Sequence, residues 1–593
     1  MLQKIKCFLS SRNNAQCCIF LLFVLVVSSK CILFDAFCFS SIAKYFKALL
    51  FSLPQKIVPA LFLAGFVFVA KRQWWTIIAN LLIDTWCIAN LFYFKANGIF
   101  LSYEAMKMVD NMEGFWDSLQ SYMGWDIAIF PIITIVYATC IYFLADYTKS
   151  KQHMIAITII ICSLLLDTGD QLIHNKYHDR QKETAGVTWD KKAESIIPFS
   201  HAYLNGKDIF ASYNNWAMRY IKKYSIVSYF PAMFVYNYFC PARRLITTYE
   251  FSQKELDPFI AEGQTTTAKT NVVFVLFESL ESWPLNEVEG YSFLPNLSAI
   301  SKDIHALCCY NLKSQVGHGN SSDGQLIDVT GLMPITDGAT CILYPNNDYP
   351  SYAQCFASSA IINPSLGAYE QVRMTEAYHF KSLIEPAFRQ SWNDMDVMEK
   401  VINFIDTAQQ PFCALGITIS SHTPWTHGAE HPKCIPEGMP KRLSAYLNCL
   451  VYADSCIGVL LEHIQESEKL AENTILVITG DHTIFRSRDK EIDAYAERAN
   501  IDFRTTKTFT PLIIYSPLIE KNTIVTDTCY QMDIYPTILH LSGCEEYYWK
   551  GLGVNLMDST HRHNRPITEE KASELSNKLI RSNYFSKYML VPQ

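Results

Sequence analysis

The sequence has little charge and no concentration of positive charge. Of its 593 residues only 18% are charged, the formal net charge is −7, and lysine and arginine form no long run. A protein that neutralises a nucleic acid backbone needs clustered basic side chains, so we expect no nucleic acid partner. Half of the residues are hydrophobic. That share is too large for a wholly soluble chain of this length and predicts a membrane part.

Two other patterns are missing. The 19 cysteines include no Cys-x-x-Cys pair that is matched by histidines at zinc-finger spacing, so a structural zinc site is not expected. No small-residue cleavage pattern follows the first apolar segment. A retained membrane span is therefore favoured over a cleaved signal peptide.

Long apolar runs occur almost only in the first third of the chain. Roughly 20 apolar residues are needed to cross the hydrocarbon layer as a helix. Five segments satisfy this length: 16–36, 50–70, 74–95, 126–147 and 154–173. We therefore predict a transmembrane domain of five spans over residues 1–173.

The charged residues of the short loops indicate the orientation of these spans. Basic residues precede the first span and occupy the loops after the second and the fourth, whereas acidic residues outnumber basic ones in the loop 96–125. Basic loops stay in the cytoplasm, so an odd number of spans places the rest of the chain outside it. We expect a multi-pass protein of a bacterial inner membrane.

The cysteines fit this orientation. Eight lie at Cys162 or earlier, in or near the spans, and eleven lie beyond it. An oxidising compartment would allow some of the later ones to pair. Spacing alone makes Cys341–Cys355 and Cys434–Cys449 plausible pairs, but connectivity cannot be derived from a sequence and stays open.

Beyond the spans the pattern changes. Residues 174–270 mix polar and aromatic residues, which is typical of short helices at a membrane surface and a linker. From 271, strand-length apolar runs alternate with helical patterns at 395–408 and 442–469, which predicts an α/β domain over 271–557 with a parallel sheet between helices. The runs are Val272–Phe277, Phe412–Ile419, Thr474–Thr479 and Pro511–Tyr515. Residues 558–593 are predicted to be a polar C-terminal tail with a final helix.

Ionisable residues follow three of these runs. Glu278 follows the first, His422 the second, and the pair Asp481-His482 the third. The carboxyl ends of parallel strands meet at one edge of a sheet, where ligands bind. An apolar strand that leads into an ionisable group is costly unless that group is paired or binds a metal. Each residue alone is more often a helix cap or a surface residue, but together they indicate a metal site.

A further element is the glycine-bracketed segment 317–324, which places the hydroxyl of Ser321 where a loop enters a predicted helix. Backbone N–H groups at a helix N-terminus hold anions such as phosphate, although a surface turn capped by serine has the same pattern. A serine hydroxyl becomes an effective nucleophile when a divalent ion lowers its pKa.

The order of these elements resembles the lipoteichoic acid synthase family over nearly the whole chain. Members of that family have five N-terminal spans followed by an extracytoplasmic, sulfatase-like α/β domain of the alkaline phosphatase type. Glu278 lies in FESLESW, similar to the family's strand ending in Glu-Ser, and Gly480–His482 matches its Gly-Asp-His. The segment Gln315–Asp323 is similar to the family's nucleophile segment, with Ser321 in place of threonine. Ser420–Pro424 is similar to its Ser-x-His-x-Pro.

The resemblance implies one divalent ion, with manganese favoured over zinc or magnesium. Its implied ligands are Glu278, Ser321, Asp481 and His482. Ser321 is then the nucleophile, and His422 meets the substrate head group as an acid or as a donor to a phosphate oxygen. Arg373 is the candidate for the family's head-group arginine, although Gln371 stands where the family has tryptophan. The implied activity transfers a phosphate-linked head group from a phospholipid donor to a glycan or polymer acceptor.

Other activities are alternatives. Similar phosphoethanolamine transferases follow Asp-His with Gly-Glu-Ser, whereas this chain continues with Thr483-Ile484, which favours a phosphoglycerol donor. A sulfatase needs proline two places and arginine four places after its nucleophile, and Ser321 is followed by neither. A phosphatase or phosphodiesterase with water as acceptor stays open. A non-catalytic membrane receptor is disfavoured because all four metal-site residues are present.

Overall fold

The computed structural model describes two compact units. One consists of the described residues up to Phe239, and the other consists of those from Gln253 onward. The described residues are 12–39, 42–70, 72–103, 105–106, 122–144, 152–185, 213–239, 253–261, 266–336, 338–366, 369–386, 393–426, 436–484, 490–501 and 509–586.

Apolar helices make up the first unit. Its described helices are α1 (Arg12–Cys38), α2 (Ile42–Gly65), α3 (Trp75–Asn97), α4 (Trp125–Leu144), α5 (His153–Ala185), α6 (Tyr213–Lys223) and α7 (Ile226–Phe239). Helices α1, α3, α4 and α5 each contain an apolar stretch long enough to cross a membrane, and α2 contributes the shorter stretch Leu53–Phe68. Pro54 and Pro59 lie inside α2. The prediction of five apolar N-terminal helices is confirmed.

A buried ion pair joins α1, α3 and α4. The ammonium of Lys30 lies 2.6 Å from the carboxylate of Asp84. It also donates to the Asn80 side chain at 2.9 Å and to the Thr134 hydroxyl at 2.6 Å. Thr134 donates to the other oxygen of Asp84 at 2.5 Å. Because a charge in an apolar interior is tolerated only when it is paired, this network fixes how the three helices pack.

Helices α6 and α7 pack against the apolar helices. Lys56 of α2 forms a buried ion pair with Asp35 of α1 at 2.5 Å and also donates to the backbone carbonyl of Tyr224 at 3.2 Å. The indole N–H of Trp86 donates to the Ile226 carbonyl at 2.8 Å. Within 174–270 the helical residues are 174–185, 213–223, 226–239 and 253–256, whereas 186–212, 240–252 and 262–265 lie outside the described residues.

The pair Lys30–Asp84 predicts a non-additive effect on stability. Lys30→Leu leaves Asp84 buried and unpaired and should destabilise the protein by about 3–5 kcal/mol, whereas Lys30→Leu combined with Asp84→Leu should recover most of this loss. Thermal unfolding of the full chain in detergent measures both. The control Lys95→Leu breaks the half-exposed Lys95–Asp126 pair and should cost at most about 1 kcal/mol. Equal losses in the single and double variants would contradict the prediction.

The second unit is an α/β domain. Its described helices are α8 (Gln253–Leu256), α9 (Pro295–Ile300), α10 (Ser321–Thr330), α11 (Thr340–Leu343), α12 (Gln371–Ala377), α13 (Asp394–Thr407), α14 (Lys441–Glu466), α15 (Glu468–Ala471), α16 (Lys490–Arg498), α17 (Ile534–Leu541), α18 (Ser559–His563) and α19 (Glu569–Arg581). Its described strands are β1 (Asn271–Phe277), β2 (Ala306–Lys313), β3 (Ser358–Ile362), β4 (Ser382–Ile384), β5 (Phe412–Ile417), β6 (Thr474–Gly480), β7 (Phe509–Tyr515), β8 (Thr523–Val525) and β9 (Cys529–Tyr530).

The strands form one sheet in the order β4-β3-β5-β1-β6-β7-β2-β8, with β9 paired to β2. The four predicted runs are β1, β5, β6 and β7, and the two predicted helical patterns are α13 and α14. The first five strands of the sheet in this order, from β4 through β3, β5 and β1 to β6, run parallel to one another, as expected. Strand β7 is antiparallel to both of its neighbours, which the assumption of simple β-α alternation missed.

Both faces of the sheet are covered by apolar side chains. Alternate residues of β1 belong to different hydrophobic clusters, with Phe274 in one and Val275 in the other. This is the period of two that a strand buried on both faces requires. Helix α14 is long and apolar enough to cross a membrane, yet 61% of its most apolar window is buried. It is therefore a core helix of this domain.

Residues 558–593 are a structural part of the α/β domain rather than a separate tail, as far as the structure describes them. Leu575 of α19 is buried in the same cluster as β1, and the hydroxyl of Ser576 accepts from the Met333 N–H at 2.8 Å. Arg565 forms a two-pronged ion pair with the fully buried Asp533, at 2.6 and 2.7 Å. The sequence analysis did not predict that α19 packs in the core, because only one face of this mostly polar helix is apolar.

Candidate active site

Three parallel strands bring the candidate residues to one edge of the sheet. Strand β1 lies between β5 and β6, with Leu276 paired to Ile417 and Phe277 paired to Gly480. The residues that follow these strands therefore meet. The backbone N–H of Glu278 donates to the Thr418 hydroxyl at 2.9 Å.

Glu278, Asp481 and His482 form a compact buried cluster. One potential ligand atom of each lies within 4.8 Å of the others. The Nε2 atom of His482 is 3.7 Å from Glu278 Oε1 and 3.6 Å from Asp481 Oδ2. The hydroxyl of Ser321 donates to Glu278 Oε2 at 3.0 Å and lies 3.3 Å from His482 Nε2. The structure thus brings together the four residues that the sequence suggested as metal ligands.

The two carboxylate oxygens of Asp481 differ in their hydrogen bonding. Its Oδ1 atom accepts from the backbone N–H groups of Ser279 and His482, both at 2.7 Å. Its Oδ2 atom is buried and has no hydrogen-bond partner among the described residues. The preceding Gly480 is required by close packing, because a Cβ atom there would lie 2.1 Å from the Leu280 carbonyl oxygen.

The electrostatics of the cluster favour a cation. Burial, followed by the negative charge of Asp481, raises the pKa of Glu278 well above its usual value, while hydrogen bonds from Ser279 and Ser321 lower it. A divalent ion next to both carboxylates would remove their repulsion. Two carboxylates, one imidazole and one hydroxyl are donors that suit manganese or zinc. The residues present therefore fit a divalent metal.

The loop before α10 positions the Ser321 hydroxyl. Asn320, the residue before the helix, has φ 45° and ψ −114°, a conformation that non-glycine residues rarely adopt and that marks functional sites. The carboxylate of Asp323 accepts from the N–H groups of Gly317 and Gly319 at 2.9 and 2.8 Å. The sequence analysis placed Asp323 in the segment that resembles the family's nucleophile segment but predicted no role for it. These contacts show that its carboxylate shapes the loop.

Gln531 connects this loop to the metal-site strand and was missed by the sequence analysis. Its side-chain N–H₂ donates to the Asp481 carbonyl, and its side-chain oxygen accepts from the Gln315 N–H, both at 2.8 Å. Gln315 in turn accepts from the Met532 N–H at 3.1 Å. Gln531 lies far from both partners in the chain, so no local pattern could have identified it.

His422 lies in the turn after β5. The neighbouring hydroxyl of Ser421 donates to the Glu278 carbonyl at 2.6 Å, which ties the turn to the cluster. The Nδ1 atom of His422 is 2.7 Å from the Thr423 carbonyl oxygen. Since a carbonyl only accepts, Nδ1 carries a proton.

Arg373 is the predicted site residue that these contacts do not connect to the cluster. It lies on α12 with 57% of its side chain exposed and pairs with Glu370 at 3.5 Å. Gln371, at the position expected for the family's tryptophan, is buried and accepts from the Asn363 side chain at 3.0 Å. Among the described residues, no hydrogen bond or ion pair links Arg373 to Glu278, Ser321 or His482.

Comparison with known proteins gives matches at both ends of the chain. The family model for the lipoteichoic acid synthase N-terminal domain matches residues 1–191, and the model for sulfatases matches residues 344–544. The lipoteichoic acid synthase-like protein YvgJ of Bacillus subtilis (strain 168) is 22% identical over 538 residues, which cover 82% of this chain and 79% of that protein. The lipoteichoic acid synthase of Staphylococcus aureus (strain USA300) is 22% identical over 547 residues, covering 87% and 79%.

Two solved structures match somewhat more than half of the chain each. The lipoteichoic acid synthase LtaP of Listeria monocytogenes covers 59% of this chain and 98% of its own, with 16% identity and a TM-score of 0.44. The phosphoglycerol transferase GacH of Streptococcus pyogenes, in complex with sn-glycerol-1-phosphate, covers 58% and 95%, with 17% identity and a TM-score of 0.41.

The apolar N-terminal helices and the sulfatase-type domain define a membrane protein of the alkaline phosphatase superfamily. Within that superfamily, the match of residues 1–191 and the curated relatives, which align with more than four fifths of the chain, support the lipoteichoic acid synthase family.

Glu278→Gln tests the metal centre. The substitution removes a buried negative charge beside Asp481, so the metal-free protein should keep or gain thermal stability. Affinity for Mn²⁺ should fall at least about 10-fold, since even indirect partners of metal ligands contribute about 10- to 100-fold. Equilibrium dialysis and thermal unfolding with and without Mn²⁺ measure these effects.

Glu472→Gln is the matched control, because it removes an exposed carboxylate next to the opposite end of β6. It should change neither Mn²⁺ affinity nor stability. An unchanged Mn²⁺ affinity in Glu278→Gln would contradict a metal-binding role for Glu278.

Proposed function

We propose that the chain is a metal-dependent phosphotransferase that moves a phosphate-linked head group from a phospholipid to a glycan or polymer hydroxyl through a covalent intermediate on Ser321. The observation that carries this proposal is the position of the Ser321 hydroxyl, within 3.3 Å of Glu278 and His482 at the start of α10. The names of the curated relatives, which are lipoteichoic acid synthases, agree with it.

A divalent ion, manganese by preference, would lower the pKa of the serine hydroxyl and neutralise charge on the transferred phosphate. Its proposed ligands are Glu278, Ser321, Asp481 and His482. The protein orients these groups before substrate arrives, because Asp481 is fixed by two backbone N–H groups and Ser321 by the loop that Asp323 shapes. Such preorganisation is the usual source of catalysis in phosphoryl transfer.

The reaction has two balanced steps. In the first, Ser321 Oγ forms a bond to phosphorus and the bond from phosphorus to the diacylglycerol oxygen breaks. The Ser321 proton has Glu278 Oε2 as its nearest acceptor, at 3.0 Å, and His422 supplies the proton that the leaving oxygen takes up. In the second step an acceptor hydroxyl gives its proton to His422 and displaces Ser321, which regains a proton.

The donor and the location follow from the sequence. The residues after Asp481-His482 differ from those of phosphoethanolamine transferases, so phosphoglycerol is the preferred head group. Basic loop residues support a reaction on the extracytoplasmic side of a bacterial inner membrane, with residues 1–173 as the proposed membrane domain and 174–270 as the proposed juxtamembrane region. Arg373, which pairs with Glu370, would have to leave that pair to bind the head group.

Substitution of Ser321 tests the mechanism. Full-length protein in detergent is incubated with Mn²⁺ and phosphatidylglycerol, and the peptide that contains Ser321 is examined by mass spectrometry while diacylglycerol is quantified. Wild type should carry a glycerophosphate adduct. Ser321→Ala should lose the adduct and at least about 1,000-fold of the diacylglycerol release, since removal of a nucleophile costs at least this much.

Two controls accompany this experiment. Ser321→Thr keeps the hydroxyl and should keep the adduct, and phosphatidylethanolamine should be a poorer donor than phosphatidylglycerol. Diacylglycerol release that survives Ser321→Ala would contradict the covalent mechanism. Release that is unaffected by an added glycan acceptor, with free glycerophosphate as product, would identify a phosphodiesterase instead.

A further inference from the structure

Two pairs of cysteines meet in the core of the α/β domain. Cys309 and Cys529 lie close enough for each thiol to shift the pKa of the other, and so do Cys355 and Cys544. All four are buried thiols in one hydrophobic cluster. Neither pair matches the spacing-based expectation: Cys341 donates to the Ser322 hydroxyl instead of pairing with Cys355, and Cys434 lies outside the described residues.

Strand pairing sets the first contact. Strand β2 pairs with β8 up to Cys309 opposite Val525, and pairs with β9 from Leu312 opposite Cys529. In its pairing with β7, the register of β2 shifts between the same two residues, Cys309 and Leu312. The two thiols are therefore held by strands of one sheet and belong to segments that are distant in sequence.

Backbone hydrogen bonds set the second contact. The segment 266–270 passes between the two cysteines: the Ala268 N–H donates to the Cys355 carbonyl at 2.9 Å, and the Lys269 N–H donates to the Ser542 carbonyl at 2.8 Å. The Thr266 hydroxyl lies near both thiols and acts to lower the pKa of each. Cys544 follows directly on α17 and the turn that ends it, so both thiols are placed by ordered backbone.

We propose that Cys309–Cys529 and Cys355–Cys544 are disulfide sites, oxidised in the mature protein outside the cytoplasm. Each pair consists of neighbouring thiols on fixed backbone, which is the requirement for a bond that closes without rearrangement. Disulfides form in extracytoplasmic compartments, where the orientation of the spans places this domain.

The chemistry is a thiol–disulfide exchange with an external disulfide, either a small-molecule disulfide or a protein oxidant. One cysteine thiolate attacks a sulfur of the external disulfide and releases one thiol. The second cysteine attacks the mixed disulfide and releases the other thiol, so two cysteine thiols are oxidised and one disulfide is reduced to two thiols. Either cysteine of a pair can supply the attacking thiolate.

The first link would brace the active site. Cys529 lies two residues before Gln531, and Gln531 holds both the Asp481 carbonyl and the Gln315 N–H at 2.8 Å. A bond from Cys529 to β2 fixes the chain that carries this glutamine. The disulfide would therefore restrict the separation of the nucleophile loop from the metal-site strand.

Peptide mapping tests the proposal without any measurement of activity. Cells that express the full chain are treated with a membrane-permeant maleimide before lysis, and the protein is then denatured, digested and analysed by mass spectrometry without reductant. Peptides linked through Cys309–Cys529 and Cys355–Cys544 should appear, each two hydrogens lighter than the sum of its parts, and should vanish after reduction. Cys341 should carry no link.

Two cysteine variants serve as test and control. Cys309→Ser should lose the first link and keep the second, whereas Cys308→Ser, its neighbour in β2, should keep both. Maleimide or free thiol on all four cysteines would overturn the proposal. So would a link from Cys544 to Cys413, a further thiol that acts electrostatically on it. Failure of the proposed phosphotransferase reaction would leave these masses unchanged.

Discussion

The mutual repulsion of two buried carboxylates is the constraint on which the α/β domain depends. Glu278 and Asp481 lie side by side where charges are weakly screened, so keeping both ionised is unfavourable unless positive charge or hydrogen-bond donors surround them. The protein supplies donors: the hydroxyls of Ser279 and Ser321 bond to Glu278, and backbone N–H groups bond to Asp481 Oδ1. One buried oxygen of Asp481 is left over, and a divalent cation would complete the set.

The rest of the domain keeps these groups from moving apart. Strand β1, at the centre of the site, is paired on both sides and buried on both faces. Close approaches then remove the remaining freedom: a Cβ atom at Gly324 would lie 2.7 Å from the Asp481 carbonyl oxygen, so α10 rests directly on the metal-site strand. Gln531 bonds to both the loop and the strand. The nucleophile and the proposed metal ligands thus belong to one rigid frame.

The sequence predicted the parts of this frame that follow local patterns. Continuous apolar runs identified β1, β5 and β6, and ionisable residues shortly after the ends of these runs identified Glu278, His422 and Asp481. Features that depend on contacts between distant parts of the chain could not be predicted from the sequence. Strand β2 mixes cysteine, tyrosine and asparagine and so has no clear period, Gln531 acts through tertiary contacts alone, and α19 has an apolar face that only the folded core explains. Cysteine spacing failed for the same reason, since Cys355 meets Cys544 through segment 266–270 rather than through nearness in the chain.

Acidic side chains are also buried in the membrane unit, but two of them are neutralised there by lysines of the same chain. The absence of such a lysine among the described residues of the active site supports a metal there. The buried acids Asp84 and Asp35 of the membrane unit are each paired with a lysine of the same chain, at 2.6 and 2.5 Å, so those sites are neutral as they stand. Among the described residues, no lysine or arginine pairs with Glu278 or Asp481. The basic side chain near both carboxylates is that of His482. The two acids, the imidazole and the serine hydroxyl of the active site therefore leave room for a cation that is not part of the chain. That cation would also activate the same hydroxyl, so the stability of the site and its chemistry have a common origin.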